Sequence, residues 1–232
     1  MSFGIYSLYR KLQPRFRQQR FRLFIEQFNP SASTRILDVG GFPADWAGVP
    51  VPSQITIVNL FPRDPGWLVS ERITYQTGDG CKLPFADQSF DIVFSNSAIE
   101  HLPRAEDQLR FASEALRVGK QIFVQTPNRW FPVEPHFVSL FLHYLPKQWQ
   151  RPFVRWFTFR GLVRSGDNVE LMQLFEELRL LSVRQMRLLF PGCHIHRERL
   201  CGLTKSLIAL KKQSCQQMAD RHVNRTQGLI TA

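Results

Sequence analysis

The feature that most constrains this chain is the segment at residues 35–46, where an apolar run containing Asp38 ends in two glycines. The apolar residues before the turn are typical of a strand buried on both faces of a parallel sheet. Gly40 and Gly41 let the chain turn sharply and bring its backbone close to a ligand. Because open α/β sheets bind ligands at the carboxyl ends of their strands, the segment predicts a central strand, a ligand-binding turn and a helix soon after.

Later segments repeat this strand-forming pattern. The β-branched and apolar runs predict further strands at residues 54–60, 72–76, 92–95 and 121–125. Apolar residues at helical spacing predict a helix over residues 105–118, with Gly119 at its carboxyl cap. Ser182 is a suitable N-cap for a helix over residues 183–190, and a hairpin closes the domain between residues 194 and 210. This alternation indicates a mostly parallel sheet with helices on both faces.

Residues 2–28 form a basic, amphipathic segment that ends at Asn29 and Pro30. Its aromatic residues recur near helical spacing, with arginines between them. In one interpretation the helix lays a phenylalanine face on the domain core and leaves its arginines in solvent. In the other, the basic helix contacts an anionic membrane surface or an anionic substrate. The two interpretations are compatible.

Residues 127–167 interrupt the alternation because they are dense in aromatic residues and too long for a plain connection, which predicts a cap over the strand ends. The predicted organisation therefore has three parts. A basic N-terminal helix spans residues 1–30. A single α/β domain spans residues 31–212, with the cap insertion at about residues 127–181. A loose polar tail follows at residues 213–232.

Composition restricts the partners of the chain without identifying them. The 232 residues include 30 Lys and Arg against 19 Asp and Glu, a formal charge of +11, which favours an anionic partner such as nucleic acid, anionic lipid or a phosphorylated molecule. The cysteines form no CxxC pair, and Cys193, His194 and His196 alternate along a predicted strand, so no metal site is expected. The N-terminus does not resemble a signal peptide, which predicts a cytoplasmic location, peripheral at the inner membrane face if the basic helix meets lipid.

The order of the strand-end features resembles that of the class I S-adenosylmethionine-dependent methyltransferases. The resemblance covers roughly residues 33–128, and a weaker similarity continues through residue 211. Its most specific part runs from Gly78 and Asp79 through residues 83–93 to Glu100, His101 and Leu102. This block is similar to the small-molecule, methyltransferase type 11-like branch, which includes quinone, sterol and glycan methyltransferases. The resemblance implies a Rossmann-like, mostly parallel seven-stranded sheet with a C-terminal antiparallel hairpin.

The same resemblance implies roles around the methionine end of S-adenosyl-L-methionine. Gly40 and Gly41 would pack their backbone against the methionine portion, and Asp38 would orient that loop or bind the amino group. Ser95 and Asn96 would meet the cofactor near its sulfonium. Methyl transfer is an in-line displacement, so much of its catalysis can come from positioning and exclusion of water.

Around the adenosine end, Asp79 would accept a hydrogen bond from the adenine amino group, and the amide of Gly80 would meet a ring nitrogen. Leu60 and Cys81 would flank the adenine ring.

The chain departs from the family pattern at two of these positions. The later two glycines of the usual first loop are Phe42 and Ala44 here, so Phe42 would narrow the loop or redirect it beside the cofactor. The acidic residue that usually ends strand two and binds the ribose hydroxyls is Asn59, whose amide lacks the charge-assisted pair. Asp64 could substitute from the following loop. We therefore expect weaker cofactor binding than in a fully matching enzyme.

The candidates for acid–base catalysis are His101, Glu100 and His136. His101 follows strand four closely enough to reach the crevice. Each candidate also has a structural alternative, because Glu100 and His101 can brace their loop and His136 can stabilise the cap.

The aromatic cap favours a small-molecule, lipid-linked or glycan acceptor with a large apolar or ring surface. Residues 95–98 read Ser-Asn-Ser-Ala, which is not the Asn/Asp-Pro-Pro-Tyr/Phe arrangement that methylates the amino groups of nucleic-acid bases. Two alternatives stay open. An RNA methyltransferase is suggested by the basic charge, and a non-catalytic methyltransferase-like adaptor is suggested by the altered glycine turn and Asn59.

Overall fold

A computed structural model describes residues 2–67, 70–134, 139–145, 148–150 and 176–212. In chain order, the helices and strands are α1 Ser2–Phe28, β1 Arg35–Val39, β2 Gln54–Asn59, β3 Ile73–Thr77, β4 Phe90–Asn96, α2 Ala105–Val118, β5 Gly119–Pro127, β6 Val133–Glu134, β7 Ser139–Leu140, α3 Val183–Leu189, β8 His194–Leu200 and β9 Leu203–Lys211. Short 3-10 helices occupy Pro43–Trp46, Ile99–His101 and Leu142–Tyr144.

A seven-stranded sheet forms the centre of the domain, in the order β3-β2-β1-β4-β5-β9-β8. Neighbouring strands from β3 to β5 pair in parallel, while β9 pairs antiparallel with β5 and β8 antiparallel with β9. The sheet confirms the Rossmann-like fold predicted from the sequence, including the closing hairpin. The chain moves outward from β1 to β3 and then returns to β4, so β1 and β4 flank the point at which the strand order reverses.

The period-two alternation of the strands divides the core into two layers. On one face, Leu37 and Val93 pack in a cluster with Phe111 of α2 and Met186 of α3. On the other face, the buried residues of the strands pack against α1 and Trp46; they are Ile36, Ile55, Ile57, Ile92, Phe94, Phe123, Ile208 and Leu210.

The prediction of a helix soon after the glycine turn is wrong for an α-helix, because the chain forms only the 3-10 helix Pro43–Trp46 there. Gly48, Pro50 and Pro52 follow closely and do not allow the turn to propagate. The uncovered face is instead closed by α1. The ring of Phe24 meets those of Trp46, Phe94 and Phe123 edge to face, at centroid distances of 6.1, 5.2 and 5.5 Å.

The first interpretation of the N-terminal segment is confirmed for the described phenylalanines that face the core and for the exposed arginines of α1, but it is wrong for Arg20, which is partly buried. Phe16, Phe21 and Phe24 are buried, whereas Arg17 and Arg22 are exposed. These phenylalanines are therefore not available to a lipid surface, and contact between the basic face and a membrane stays a prediction. Within the described part of the chain, no helix combines the length and apolar character needed to cross a bilayer.

The prediction that Gly119 caps α2 is confirmed, because its amide donates to the carbonyl of Ala115. Its φ of −103° is extended rather than left-handed, and the same residue begins β5. A Cβ there would lie 2.6 Å from Cγ2 of Val93, so glycine is needed for close packing between α2 and the sheet. The predicted cap at Ser182 is confirmed, because its hydroxyl accepts a hydrogen bond from the amide of Gln185 at 3.3 Å. Most of the predicted cap insertion, the whole tail and His136 lie outside the described residues.

Candidate functional site

The predicted cofactor residues lie along one edge of the sheet. Asp38 and the two glycines end β1, Asn59 ends β2, Asp79 follows β3, and Asn96 ends β4. Because the sheet order is β3-β2-β1-β4, these four strand ends are consecutive neighbours in a parallel arrangement. The residues are thus brought to one edge of the sheet, on both sides of the point between β1 and β4 where the strand order reverses, and open α/β sheets bind ligands in a crevice at such a point.

Steric contacts explain both glycines of the turn. The amide of Gly40 donates to the carbonyl of Val58 at 2.8 Å, and its φ of +86° favours glycine. A Cβ on Gly40 would lie 2.5 Å from Cβ of Ala98, so the turn packs directly on the loop after β4. A Cβ on Gly41 would lie 1.8 Å from Oδ2 of Asp38, so no side chain fits there.

Asp38 is a buried carboxyl with one oxygen satisfied. Its Oδ2 accepts a 2.7 Å hydrogen bond from Nε1 of Trp46, while Oδ1 is buried without a hydrogen-bond partner among the described residues. Burial raises the pKa of Asp38 to about 8, although the hydrogen bond from Trp46 acts in the opposite direction. Such a carboxyl is stabilised either by a proton or by a cationic group of a ligand.

The loop after the glycines closes on itself and is held by α1. The amide of Phe42 donates to Oδ2 of Asp45 at 3.1 Å, and Asp45 pairs with Arg17. The ring of Phe42 is 37% exposed and lies 6.3 Å from that of Phe61 and 5.6 Å from that of Trp67. Phe42 therefore directs an aromatic face toward the loop that follows β2.

Asn59 connects two loops of the crevice. Its Nδ2 donates to the carbonyl of Gly41 at 2.9 Å, and its Oδ1 accepts from the amide of Phe61 at 3.3 Å. This contact gives the asparagine a structural role that a carboxylate could not perform, because a carboxylate cannot donate to a carbonyl. Its role at the ribose stays a prediction. Asp64 is exposed and accepts from the amide of Gly66 at 2.8 Å, and Leu60 is also exposed.

At the adenosine end, Asp79 is exposed, and its Oδ1 accepts from the amide of Cys81 at 2.8 Å. A Cβ on Gly80 would lie 2.8 Å from Cγ1 of Val39, so the chain passes close to β1. Burial, followed by the charge of Asp79, raises the pKa of the Cys81 thiol to about 12. The thiol thus stays protonated and donates to the carbonyl of Asp107 at 3.4 Å.

The two polar residues at the end of β4 have different environments. Ser95 is fully buried, and its hydroxyl donates to the carbonyl of Val39 at 2.8 Å, which ties β4 to β1. Asn96 is partly exposed, and its Oδ1 accepts a 2.6 Å hydrogen bond from Nη1 of Arg20. Contact of either residue with the cofactor stays a prediction.

Sequence reasoning missed Arg20 and placed it with the solvated arginines of the N-terminal segment. A signal was present, because Arg20 lies four residues after Phe16 and four before Phe24, on the buried stripe of α1. An arginine within an apolar helical stripe indicates a buried polar partner.

The catalytic candidates are only partly described. Glu100 is fully buried; its Oε2 accepts from Oγ1 of Thr126 at 3.0 Å, and its backbone carbonyl accepts from the amide of Arg179 at 2.7 Å. This arrangement favours the bracing role for Glu100. His101 is partly exposed at the end of a 3-10 helix beside β4, and His136 lies outside the described residues.

The segment that carried the family resemblance, residues 83–93, is fastened to the domain by charges. Arg117 pairs with Asp87 at 2.8 Å and also donates to carbonyls of the segment. Asp91 accepts from the amide of Arg35 at 3.0 Å and pairs with Lys120, which joins the starts of β4, β1 and β5. Asp87 and Asp91, which belong to the family-like sequence pattern, therefore hold this segment to the domain.

The described residues contain no group of three His, Cys, Asp or Glu side chains placed to hold a metal ion. A surface cleft of about 380 Å³ lies between Trp46 and Arg72, but it contains none of the predicted cofactor residues. The guanidinium of Arg72 is engaged by backbone carbonyls there, including that of Val49 at 3.2 Å.

Comparison with known proteins agrees with this geometry. The family described as "Methyltransferase domain" matches residues 50–122, which include the predicted residues on β2, β4 and the loop after β3. The chain is 28% identical over 112 residues to "Methyltransferase GfsG" of Streptomyces halstedii, covering 43% of this chain and 40% of that protein. It is 26% identical over 144 residues to "Ubiquinone/menaquinone biosynthesis C-methyltransferase UbiE" of Roseobacter denitrificans, covering 55% and 53%. The chain thus spans only about half or less of these relatives.

Among solved structures, the chain superposes on one from the complex between the Haloferax volcanii Trm112 methyltransferase activator and a methyltransferase. The TM-score is 0.53 at 11% identity, over 88% of this chain and 92% of that one, which is a likeness of fold. The matched segment and the sheet topology both agree with the resemblance to the class I S-adenosylmethionine-dependent methyltransferases.

Proposed function

We propose that the protein is an S-adenosylmethionine-dependent methyltransferase that acts on a small-molecule acceptor. The observation that carries the proposal is the alignment of four consecutive strand ends, which presents Asp38, Gly40, Asn59, Asp79 and Asn96 along one crevice. Polar groups spread over such an edge suit an elongated ligand that has a charged end and a heterocyclic end.

The described residues fit the cofactor at both ends. Oδ1 of Asp38, which is buried and lacks a partner among the described residues, suits the ammonium group of the methionine portion. The exposed oxygen of Asp79 suits an amino donor on a ring, and the exposed side chain of Leu60 offers an apolar face to that ring. Cofactor binding would therefore give Oδ1 of Asp38 the partner that it lacks among the described residues.

The bound cofactor would supply an electrophilic methyl group on its sulfonium. The protein's own contribution is to hold the acceptor in line and to exclude water. His101 is the residue that we propose to take the acceptor's proton, since it lies directly after β4 and is partly exposed. Glu100 keeps that 3-10 helix in place through Thr126.

Exposed aromatic residues that follow β5 in the chain favour an acceptor with a ring or isoprenoid surface. Trp130 and Trp149 are each 62% exposed, and the ring of Tyr144 lies 5.8 Å from that of Trp130. The relatives include proteins named for ubiquinone and menaquinone biosynthesis and for tocopherol, which supports an acceptor of this class. Lipid-linked and glycan acceptors share the required surface.

Isothermal titration with S-adenosylhomocysteine tests the proposal directly. We expect saturable binding, and we expect Asp79→Ala to weaken it about tenfold by removing the adenine contact. Glu71→Ala is the matched control, because Glu71 is an exposed carboxylate just before β3, at the opposite end of that strand from Asp79. Absence of saturable binding at millimolar ligand would refute the proposal and favour the adaptor alternative.

A second experiment addresses the acceptor. Cell extract is divided into lipid, glycan and nucleic-acid fractions, and each is incubated with the protein and methyl-labelled cofactor. We expect label in the lipid or glycan fraction. Label that follows RNA would overturn the proposed acceptor class in favour of the RNA methyltransferase, for which the charge of +11 is the argument.

A further inference from the structure

Arg20 connects the N-terminal helix to the ends of two neighbouring strands. Asn96 and Gln125 are register partners on β4 and β5, and they continue the rows of Phe94 and Phe123 that face α1. Nη1 of Arg20 donates to Oδ1 of Asn96 at 2.6 Å and to Oε1 of Gln125 at 2.9 Å. The arginine side chain is only 12% exposed, so it is held within the protein rather than solvated.

These contacts determine how both amides are oriented. A guanidinium has only donors, so each amide must present its oxygen to Arg20. The oxygen and nitrogen of an amide lie on opposite sides of one carbon, and Nδ2 of Asn96 is therefore directed away from Arg20. The hydroxyl of Ser97 donates to Oε1 of Gln125 at 2.9 Å, so the hydroxyl proton of Ser97 is used in that bond. Asn96 is left with N–H groups to offer at the partly exposed end of β4.

Arg20 has a separate anchor on its other side. Oε1 of Glu198 accepts from Nε of Arg20 at 3.3 Å, and Oε2 accepts from Nζ of Lys205 at 3.2 Å. Burial tends to raise the pKa of Glu198, but the charges of Arg20 and Lys205 and hydrogen bonds that include one from Ser206 outweigh it and lower the pKa. The ion pair uses only Nε of Arg20. The Nη1 donors of this part-buried guanidinium remain for the oxygens of Asn96 and Gln125, and they fix the orientation of both amides.

We propose that Arg20 is a positioning residue that commits Asn96 to donating an N–H to an oxygen atom of the bound ligand. The proposal rests on the proposed function, since it concerns the same crevice. Asn96 ends β4 beside the loop on which the glycine turn packs, where Ala98 meets Gly40. A donor fixed at that point would recognise either the carboxylate of the cofactor's amino-acid portion or an oxygen of the acceptor.

The decisive variant is Asn96→Asp. Aspartate has the same shape and still accepts from Arg20, with an ion pair added, so a purely structural role is preserved or strengthened. It cannot donate, and its charge repels a ligand oxygen. We expect unchanged or higher stability in denaturant unfolding, together with a fall in ligand recognition of about tenfold. Gln125→Glu adds the same charge to the other partner of Arg20 at a site that is 1% exposed. We expect it to change ligand affinity by no more than about twofold.

Three measurements distinguish the outcomes. Affinity for S-adenosylhomocysteine that falls while affinity for 5′-methylthioadenosine is kept would identify the cofactor carboxylate, because methylthioadenosine lacks the amino-acid portion. Unchanged affinity for both, with reduced methyl transfer at saturating cofactor into the labelled fraction, would identify an acceptor oxygen. An Asn96→Asp protein that matches the wild type in all three measurements would overturn the role of Arg20. Wild-type protein that binds no S-adenosylhomocysteine would instead overturn the proposed function.

Discussion

Replacement of Asp38 by asparagine is expected to make the protein more stable at pH 8 and less stable at pH 4. The wild-type carboxyl is buried, and burial raises its pKa to about 8 from an ordinary value near 4. A carboxyl of this kind favours the folded state while it is protonated. The stability that it provides is fully present below pH 4 and is lost as the pH rises toward 8. Asparagine does not titrate, so the variant lacks this loss.

The structure sets the size of the effect. At about 1.4 kcal/mol for each tenfold change in an equilibrium constant, ionisation of Asp38 in the unfolded chain, while the folded carboxyl stays protonated, lowers the free energy of unfolding by up to about 4 kcal/mol at pH 7. The asparagine of the variant would keep an oxygen for Nε1 of Trp46, but its amide nitrogen would occupy the place of Oδ1, where a buried unpaired donor costs about 1–3 kcal/mol. We therefore expect a net gain of about 1–3 kcal/mol at pH 8 and a net loss of similar size at pH 4.

The assay is urea unfolding of wild type and Asp38→Asn in buffers from pH 4 to pH 8.5, with Asp64→Asn as a control for an exposed carboxyl. The quantity of interest is the difference in the free energy of unfolding between variant and wild type. It should change sign across the range for Asp38→Asn and stay flat for Asp64→Asn. A flat difference for Asp38→Asn would refute the reasoning, because it would show that Asp38 titrates normally in the folded protein.

Further predictions concern packing, a buried cation and catalysis. Gly41→Ala should destabilise the protein by about 2–4 kcal/mol in thermal melts because its Cβ would meet the carboxylate of Asp38, whereas Gly48→Ala, in open space, should cost only about 1 kcal/mol for its positive φ. Burial lowers the pKa of Lys205 to about 8, so the free energy of unfolding of wild type relative to Lys205→Met should rise by up to about 3 kcal/mol between pH 8 and pH 10.5; a level difference would contradict this. His101→Ala should reduce methyl transfer about 100-fold with S-adenosylhomocysteine affinity within about twofold, and unchanged transfer would remove His101 from the mechanism.

The strands and the helices beside them could be predicted because their signals are local. The bounds predicted for α2, residues 105–118, agree with the structure, and the hairpin from His194 agrees at its start. Apolar residues at every second position indicate a strand, and a glycine or serine at the right place indicates a helix end. Both signals can be recognised from neighbouring residues alone. The order of these elements was sufficient to predict a mostly parallel sheet with a closing hairpin, and the family resemblance implied its seven strands.

The parts that sequence reasoning missed depend on contacts between distant residues. The glycine turn suggests a following helix, but the covering element is α1, which precedes the turn in the chain. Arg20 and Asn96 are 76 residues apart, and nothing near either residue indicates the other. The sequence alone presents Asn59 as a weakened ribose ligand, whereas the structure shows its donor bonded to Gly41. Local patterns report propensity and periodicity, not the partner that a polar side chain will find.

The altered glycine turn and the N-terminal helix depend on each other structurally. Without a helix after β1, the face of the sheet that carries Ile36 and Phe94 needs another cover, and the phenylalanines of α1 provide it. A helix seated there brings its arginines to the crevice. Arg17 reaches Asp45 in the loop after the glycines, and Arg20 reaches Asn96 at the end of β4. The loop that contains Phe42 thus takes its shape partly from α1, so changes in this helix should alter the crevice as well as the stability of the fold.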